Sequence, residues 1–226
     1  MPRMGRSGTF APVGAAPGRN TVGGTMDERT ATAMFSTRFH GRGGQGVVTA
    51  AEMLAVAAFL DGSFAQAFPS FGSERMGAPV VSYCRVSAGP IRTHEPVENA
   101  DAVVIQDPTL LHEVDLFAGL GGDGYVLINS SRAPAELGLA DLETHLRPGR
   151  LVTLPANEIG QRFLGRPRAN TALLAALAAL TGVASVNSVT SAIRRRFGGP
   201  VGEANAAAAE AAVRSLRRSQ VVTGRA

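Results

Sequence analysis

The chain has 226 residues, 45% of them hydrophobic; that suits one α/β domain burying on the order of 70% of its unfolded surface, and no apolar run nears the ~18 residues of a membrane span. All 22 basic residues are arginine and the net charge is only +4; residues 1–33 carry +2 and residues 194–226 carry +5, which leaves −3 for the body, and with 5% aromatics this is no contiguous basic stripe for nucleic acid. The single cysteine, Cys84, excludes a disulfide framework and an iron-sulfur cluster held by this chain alone, which needs about four thiolates, and it points to a reducing cytoplasm.

Residues 1–33 are Gly, Pro, Ala, Thr and Arg with almost no large apolar side chain. Such a segment cannot bury enough surface to offset chain entropy, so it is expected to be disordered, and a start at Met26 or Met34 would remove it at little structural cost. Met34 to Phe39 then reads as a first strand and Val47 to Leu60 as an Ala-rich helix. Phe64 to Phe68 reads as a buried strand. Pro79 to Val86 alternates as another strand, with Cys84 a small buried hydrophobe inside it, and it pairs with Pro90–Thr93 across the Ser87–Gly89 turn.

Ala102–Ile105 and Tyr125–Ile128 are continuous apolar runs, the pattern of parallel strands covered on both faces. Between them Asp107 can cap a short helix with Pro108 at its first position and Leu110, Leu111, Val114 and Phe117 on its apolar face. A last strand is expected at Leu151–Leu154, followed by a capped helix at Asn157–Leu164. Beyond Asn170 the chain turns helical: Leu173, Leu174, Leu177 and Leu180 form one stripe, and Val189, Ile193 and Phe197 form another, which Gly198-Gly199-Pro200 stops. Arg194 to Arg196 suit that helix's carboxyl end. A third helix, Gly202 to Arg218, has a narrow Ala-rich face (Ala206, Ala209, Val213, Leu216) and is read as a docking arm. The division is 1–33 as an extension, 34–200 as the domain and 201–226 as a basic helical tail.

The most informative stretch is Gly41-Arg42-Gly43-Gly44-Gln45-Gly46, between the first strand and the first helix. Strand, glycine turn and helix in that order leave unpaired backbone N–H groups at a helix N-terminus, where a phosphate can approach without meeting a Cβ. Gly41, Gly43 and Gly46 also fit the G-x-G-x-x-G of dinucleotide enzymes, which need an acid roughly 20 residues further on to hold the ribose. That place falls in Phe64–Phe68, which contains none. Phosphate binding stands while NAD loses its second anchor.

A second long loop, Pro69 to Pro79, carries Ser70, Phe71, Gly72, Glu74, Arg75 and Met76. Loops of this length in compact domains carry function, here through Glu74 and Arg75 on a ligand or partner, or alternatively those two charges pair locally. Asp107, Asn129 and Ser130 sit at the carboxyl ends of expected parallel strands, the usual binding crevice of an open sheet. His40, His94, His112 and His145 show no metal spacing. Gly122-Asp123-Gly124 shares letters with a thiamine diphosphate motif, but Asn129 follows too closely and the triplet is read as a turn.

The runs Arg38 to Val47, Gln66-Ala67-Phe68-Pro69-Ser70-Phe71-Gly72, Glu74-Arg75 and Gln106 to Leu111 together resemble the gamma subunit, or gamma domain, of the pyruvate:ferredoxin and other 2-oxoacid:ferredoxin oxidoreductases, from about Arg38 to Phe197. The resemblance implies a Rossmann-like open, mostly parallel sheet with flanking helices and a helical C-terminal segment. It implies a complex that converts a 2-oxoacid, pyruvate first among them, and CoA to acyl-CoA and CO2, with alpha, beta and ferredoxin-like delta subunits or fused equivalents and ferredoxin as acceptor. Thiamine diphosphate, Mg and iron-sulfur clusters are then expected on partner subunits, and CoA at this one. By the same resemblance Gly41, Arg42, Gly43, Gly44, Gln45 and Gly46 meet CoA phosphates, Ser70, Phe71, Gly72, Glu74 and Arg75 guide its pantetheine arm or lock to a neighbour, and Asn129 joins the ligand set. Met76 departs from a family pattern that often has a base there. Two alternatives stay open: a scaffold subunit whose turn binds nothing, and a free-standing NAD(P) oxidoreductase.

Overall fold

A computed structural model describes residues 34–70 and 76–223. The expectations for residues 1–33 and for Phe71, Gly72, Glu74 and Arg75 lie outside the described residues. Strands β1 (Met34–Arg42), β2 (Phe64–Pro69), β3 (Pro79–Ser87), β4 (Ala100–Ile105), β5 (Leu120–Asn129) and β6 (Leu151–Leu154) form one sheet in the order β2-β3-β1-β4-β5-β6. β1, β4, β5 and β6 pair in parallel, whereas β3 runs antiparallel to both β1 and β2. The mostly parallel α/β sheet is therefore present, with one reversed strand set between β1 and β2.

That reversed strand corrects two expectations. β2 is not a buried strand: displaced from β1 by β3, it becomes the sheet edge and is only half covered, with Phe64 48% exposed. Pro90–Thr93 forms no strand, because both sides of β3 are already taken, by β1 and β2. The hairpin at the sheet edge is β2–β3. The turn expected at Gly122–Gly124 is instead the first half of β5.

Alternation along the central strands divides the core in two. Ala102 and Val104 of β4 join one cluster with Phe39, Cys84 and Leu127. Under them pack α1 (Val47–Leu60), α3 (Ala156–Leu164), α4 (Asn170–Thr181), α5 (Val186–Phe197) and α6 (Gly199–Thr223). Val103 and Ile105 face the other way, onto Leu110, Leu116, Leu137 and Leu146 from loops, short 3-10 turns and α2 (Ala140–His145). All the longer helices thus share one face. Alanines at 50, 51, 57 and 58 let α1 lie close on the sheet, while Glu52, Val56 and Phe59 face solvent.

The reading of α6 as a docking arm is also corrected. Its Ala206, Ala209, Val213 and Leu216 are almost wholly buried against α3, α4 and α5 of the same chain, so the small side chains serve close helix packing within the domain. α5 does stop before Gly198, but α6 restarts at Gly199, with Pro200 in its first turn, where the missing N–H costs nothing. Arg194 pairs with Glu203 at 3.0 Å across that corner. No described helix is long and apolar enough to cross a membrane.

On the face opposite α1 the sheet buries ionisable groups. His40 is 6% exposed, its Nε2 has no partner among the described residues, and burial, then the Arg38 guanidinium, push it from about 6.5 down to about 4. The unfolded chain therefore takes up this proton first as pH falls. Stability should be fullest above the unfolded value, drain as pH falls through 6.5 and level off near 4. A urea titration at pH 5 against pH 7 should show a loss of about 2 kcal/mol, most of which His40→Asn removes.

Candidate functional site

β1 ends at Arg42 and α1 begins at Val47, so the turn is Gly43-Gly44-Gln45-Gly46. Gly44 (φ 90°) and Gly46 (φ 79°) occupy the left-handed region that glycine alone enters freely. Gly41 lies inside β1, where its own requirement is space: a Cβ there would come within 2.7 Å of Val47 and 2.9 Å of the Gln45 side chain. Gly46 precedes the helix without a side-chain cap, and the amides of Gly46, Val47, Val48 and Thr49 have no acceptor among the described residues. Free donors thus gather at a helix N-terminus, where the macrodipole also favours an anion.

Two side chains, Gln45 of the turn and Arg42 at the end of β1, are spent on holding the turn itself. Gln45 accepts from the Arg42 amide (2.8 Å) and donates to the Asp107 carboxylate (2.7 Å). The Arg42 guanidinium donates to Thr109 Oγ1 (2.6 Å), the Gly77 carbonyl (3.2 Å) and the Glu113 carboxylate, and lies 3.4 Å from Asp107. The hydrogen bond to Glu113 raises its pKa further. Burial alone would raise the Asp107 carboxyl, but hydrogen bonds from Thr109 and Gln45, together with Arg42, hold it below the usual range. Asp107 also caps the 3-10 turn Pro108–His112 as expected, accepting from the Thr109 amide. Arg42 therefore clasps two acids, and little of its charge is left for a phosphate. The Gly43 amide is likewise engaged, with Ala78 (2.9 Å).

Beside the turn opens a cavity of about 640 Å³, lined by Gly43, Gly44, Gly46 and the first residues of α1, with Met76 and Val80 on one wall. The opposite wall is Leu164, Arg166, Arg168, Asn170, Phe197 and Asn205. Arg168, in the α3–α4 connector, donates to the Gly44 carbonyl and ties that wall to the turn. Asn205 bonds Thr171 (3.2 Å) and the Val201 carbonyl (2.8 Å). No acidic side chain lines the cavity among the described residues, so with Arg42 offset its charge comes from Arg166 and Arg168.

Three comparisons bear on this geometry. A family model for pyruvate ferredoxin/flavodoxin oxidoreductase matches residues 36–215. The chain belongs to that family. It is 47% identical over 179 residues to the pyruvate/ketoisovalerate oxidoreductases common subunit gamma of Thermococcus kodakarensis, a match covering 79% of this chain and 95% of that one. It is 44% identical over 188 residues to pyruvate synthase subunit PorC of Methanothermobacter thermautotrophicus, covering 83% of this chain and 99% of the relative. Among solved structures, pyruvate oxidoreductase subunit PORC of Thermotoga maritima superposes with a TM-score of 0.67 at 32% identity, over 80% of this chain and 96% of that chain. This is a gamma-type subunit of an oxidoreductase that works as part of a complex.

Within this gamma-type fold the expected site residues separate. Gly43, Gly44, Gly46 and Arg42 reach the cavity. Ser70, exposed at the end of the edge strand, extends its ladder through its amide to Val81 (2.9 Å). Asn129 is buried with both ends of its amide engaged: it donates to the Gln106 carbonyl (2.8 Å) and accepts from the Asn157 amide (3.0 Å). It joins β4, β5 and α3, and supplies from outside the helix the cap expected of Asn157, since α3 starts one residue earlier and has no capping side chain of its own. Sequence reasoning passed over Arg166, Arg168, Asn170 and Asn205. The signal available was two arginines flanking Pro167 in a short interhelical connector.

Proposed function

We propose that this chain is the CoA-handling gamma subunit of a thiamine-diphosphate-dependent 2-oxoacid:ferredoxin oxidoreductase, with pyruvate as the leading substrate. The supporting observation is the cavity at the glycine turn, where amides of α1 without an acceptor and a basic wall without an acid, among the described residues, face one space. Such a space suits a phosphorylated, elongated cosubstrate. Thiamine diphosphate, Mg and the clusters belong on alpha, beta and delta partners in this reading. Among the described residues, no three His, Cys, Asp or Glu side chains come together as a metal requires.

The chain's own task is to hold CoA by its anionic part while the thiol end reaches the partner's reacting carbon. The clasp of Arg42, Gln45 and Asp107 keeps the turn in shape for this. A dinucleotide role fits poorly, because β2, which would carry the ribose-binding acid, lies two strands from β1. Gentle purification of the tagged chain from its host tests the proposal. Brown co-purifying subunits that oxidise a 2-oxoacid only when CoA is supplied are the expected result. A colourless chain without partners would contradict it.

A further inference from the structure

β2 is the outer strand of the sheet, with no strand beyond it among the described residues. The Ser70 amide bonds the Val81 carbonyl (2.9 Å), and in an antiparallel ladder alternate residues bond the same neighbour. Phe64, Gln66 and Phe68 therefore turn their backbone groups to β3, while Ala65 and Ala67 turn their N–H and C=O outward. Neither alanine is hydrogen-bonded by a loop or side chain among the described residues. Proteins blunt such an edge with charges, bulges or a covering segment. β2 carries no charge and keeps unbroken register with β3. Beside it Phe59, whose carbonyl accepts from the Gly62 amide in the turn between α1 and β2, is 72% exposed, and Phe64 is half exposed. Apolar side chains next to unpaired ladder groups mark an interface.

The strand's own sequence points to the occupant: Phe64-Ala65-Gln66-Ala67-Phe68 reads the same in both directions. We propose that this edge pairs with the same edge of a second copy of the chain, antiparallel and centred on Gln66, so that two sheets join across a two-fold axis. Ala65 and Ala67 then exchange N–H···O bonds with Ala67 and Ala65 of the other copy. On the face opposite α1, Phe64 meets the other copy's Phe68, and Gln66 meets its own equivalent. Such an isologous contact requires self-complementary groups, and an amide, both donor and acceptor, is its own partner. Gln66 Oε1 is buried without a hydrogen-bond partner in the single chain. A cleft of about 300 Å³ that Gln66 shares with Phe64, Pro90, Ile91 and His94 leaves the carboxamide room to turn toward the seam. No charge opposes a like charge across the axis, and Pro69, which has no N–H to give, falls beyond the paired residues. The axis is normal to the sheet, so both α1 helices, each with its exposed Phe59, lie on one side of the seam.

Cysteine cross-linking of the full chain, alone and in the purified complex, with oxidised glutathione as the oxidant, is the test. The natural thiol does not interfere, because Cys84 is buried and burial pushes its pKa well above the usual range. Gln66→Cys should link two copies of the chain, since directly opposed residues that are not hydrogen-bonded bring their Cα atoms to about 4.5 Å, within disulfide range. Phe64→Cys should not, because its equivalent lies about 13 Å along the seam. Ala65→Pro removes an outward donor and leaves the β3 ladder intact, so it should weaken dimerisation about tenfold in sedimentation velocity, through one hydrogen bond lost from each copy. Linking of Gln66→Cys to a different subunit of the complex would overturn self-pairing in favour of a partner's strand. Equal linking by Phe64→Cys would overturn the register centred on Gln66. A chain that stays monomeric, with Gln66→Cys unlinked both alone and in the complex, would overturn the proposal. Should Gln66→Cys fail to fold, sedimentation decides: equal dissociation of the native chain and Ala65→Pro would overturn it.

Discussion

Gly44→Asp should raise the KM for CoA of the assembled enzyme about thirtyfold while the complex keeps its composition and its KM for the 2-oxoacid. Gly44 sits at φ 90°, beside the free amides that open α1. A side chain there carries backbone strain of roughly 1–2 kcal/mol, and its Cβ would come within 2.7 Å of Met76 Sδ, which is 89% exposed and can swing away. The turn should therefore survive. The new carboxylate occupies the position an anionic ligand would use, and repulsion with loss of charge-assisted hydrogen bonds weakens binding by about 2 kcal/mol, which is close to thirtyfold. Steady-state kinetics with CoA varied at saturating 2-oxoacid checks this. A normal KM for CoA in an intact complex would favour the scaffold alternative, with the turn purely structural.

The largest loss of stability is expected at Arg38. This side chain is 8% exposed on the sheet face opposite α1. Its Nη1 donates to the carbonyl of Glu98 (3.1 Å), and its Nη2 to those of Leu116 (3.1 Å) and Ala118 (2.6 Å). It holds the segments before β4 and β5 onto the sheet by hydrogen bonds from a charged donor. Burial lowers its pKa, yet a guanidinium stays protonated. Arg38→Met keeps the aliphatic stem but leaves those carbonyls without their donor in a poorly hydrated space. A loss of about 3 kcal/mol, seen in the urea midpoint of the full chain, is expected. A change under about 1 kcal/mol would mean that water replaces the guanidinium at little cost.

The parts of the fold read correctly from sequence are those fixed by local pattern. The continuous runs at Ala102–Ile105 and Tyr125–Ile128 are buried on both faces in the sheet except at Tyr125, which is half-buried, and the glycine turn lies between β1 and α1. What escaped depends on partners far along the chain. Phe64–Phe68 looks like a central strand because its apolar side chains say nothing about β3 entering between it and β1. The Ala face of α6 looks thin until α4 and α5 are close enough for methyl groups to fill the gap. At the site, the turn was legible because its glycines and the following helix are consecutive. Its opposite wall was not, since Arg168 meets Gly44 from 124 residues away. Arg42 shows the same limit in reverse: a base beside glycines reads as a phosphate ligand, and only the fold brings Asp107 and Glu113 to it.

The most direct measurement is hydrogen–deuterium exchange of the intact complex with and without CoA, read on peptides of this chain. CoA should slow exchange at residues 46–49, whose amides at the start of α1 have no acceptor among the described residues, and at residues 166–170 on the facing wall. Protection confined to partner subunits, with both segments exchanging at the same rate in the presence of CoA, would contradict the account.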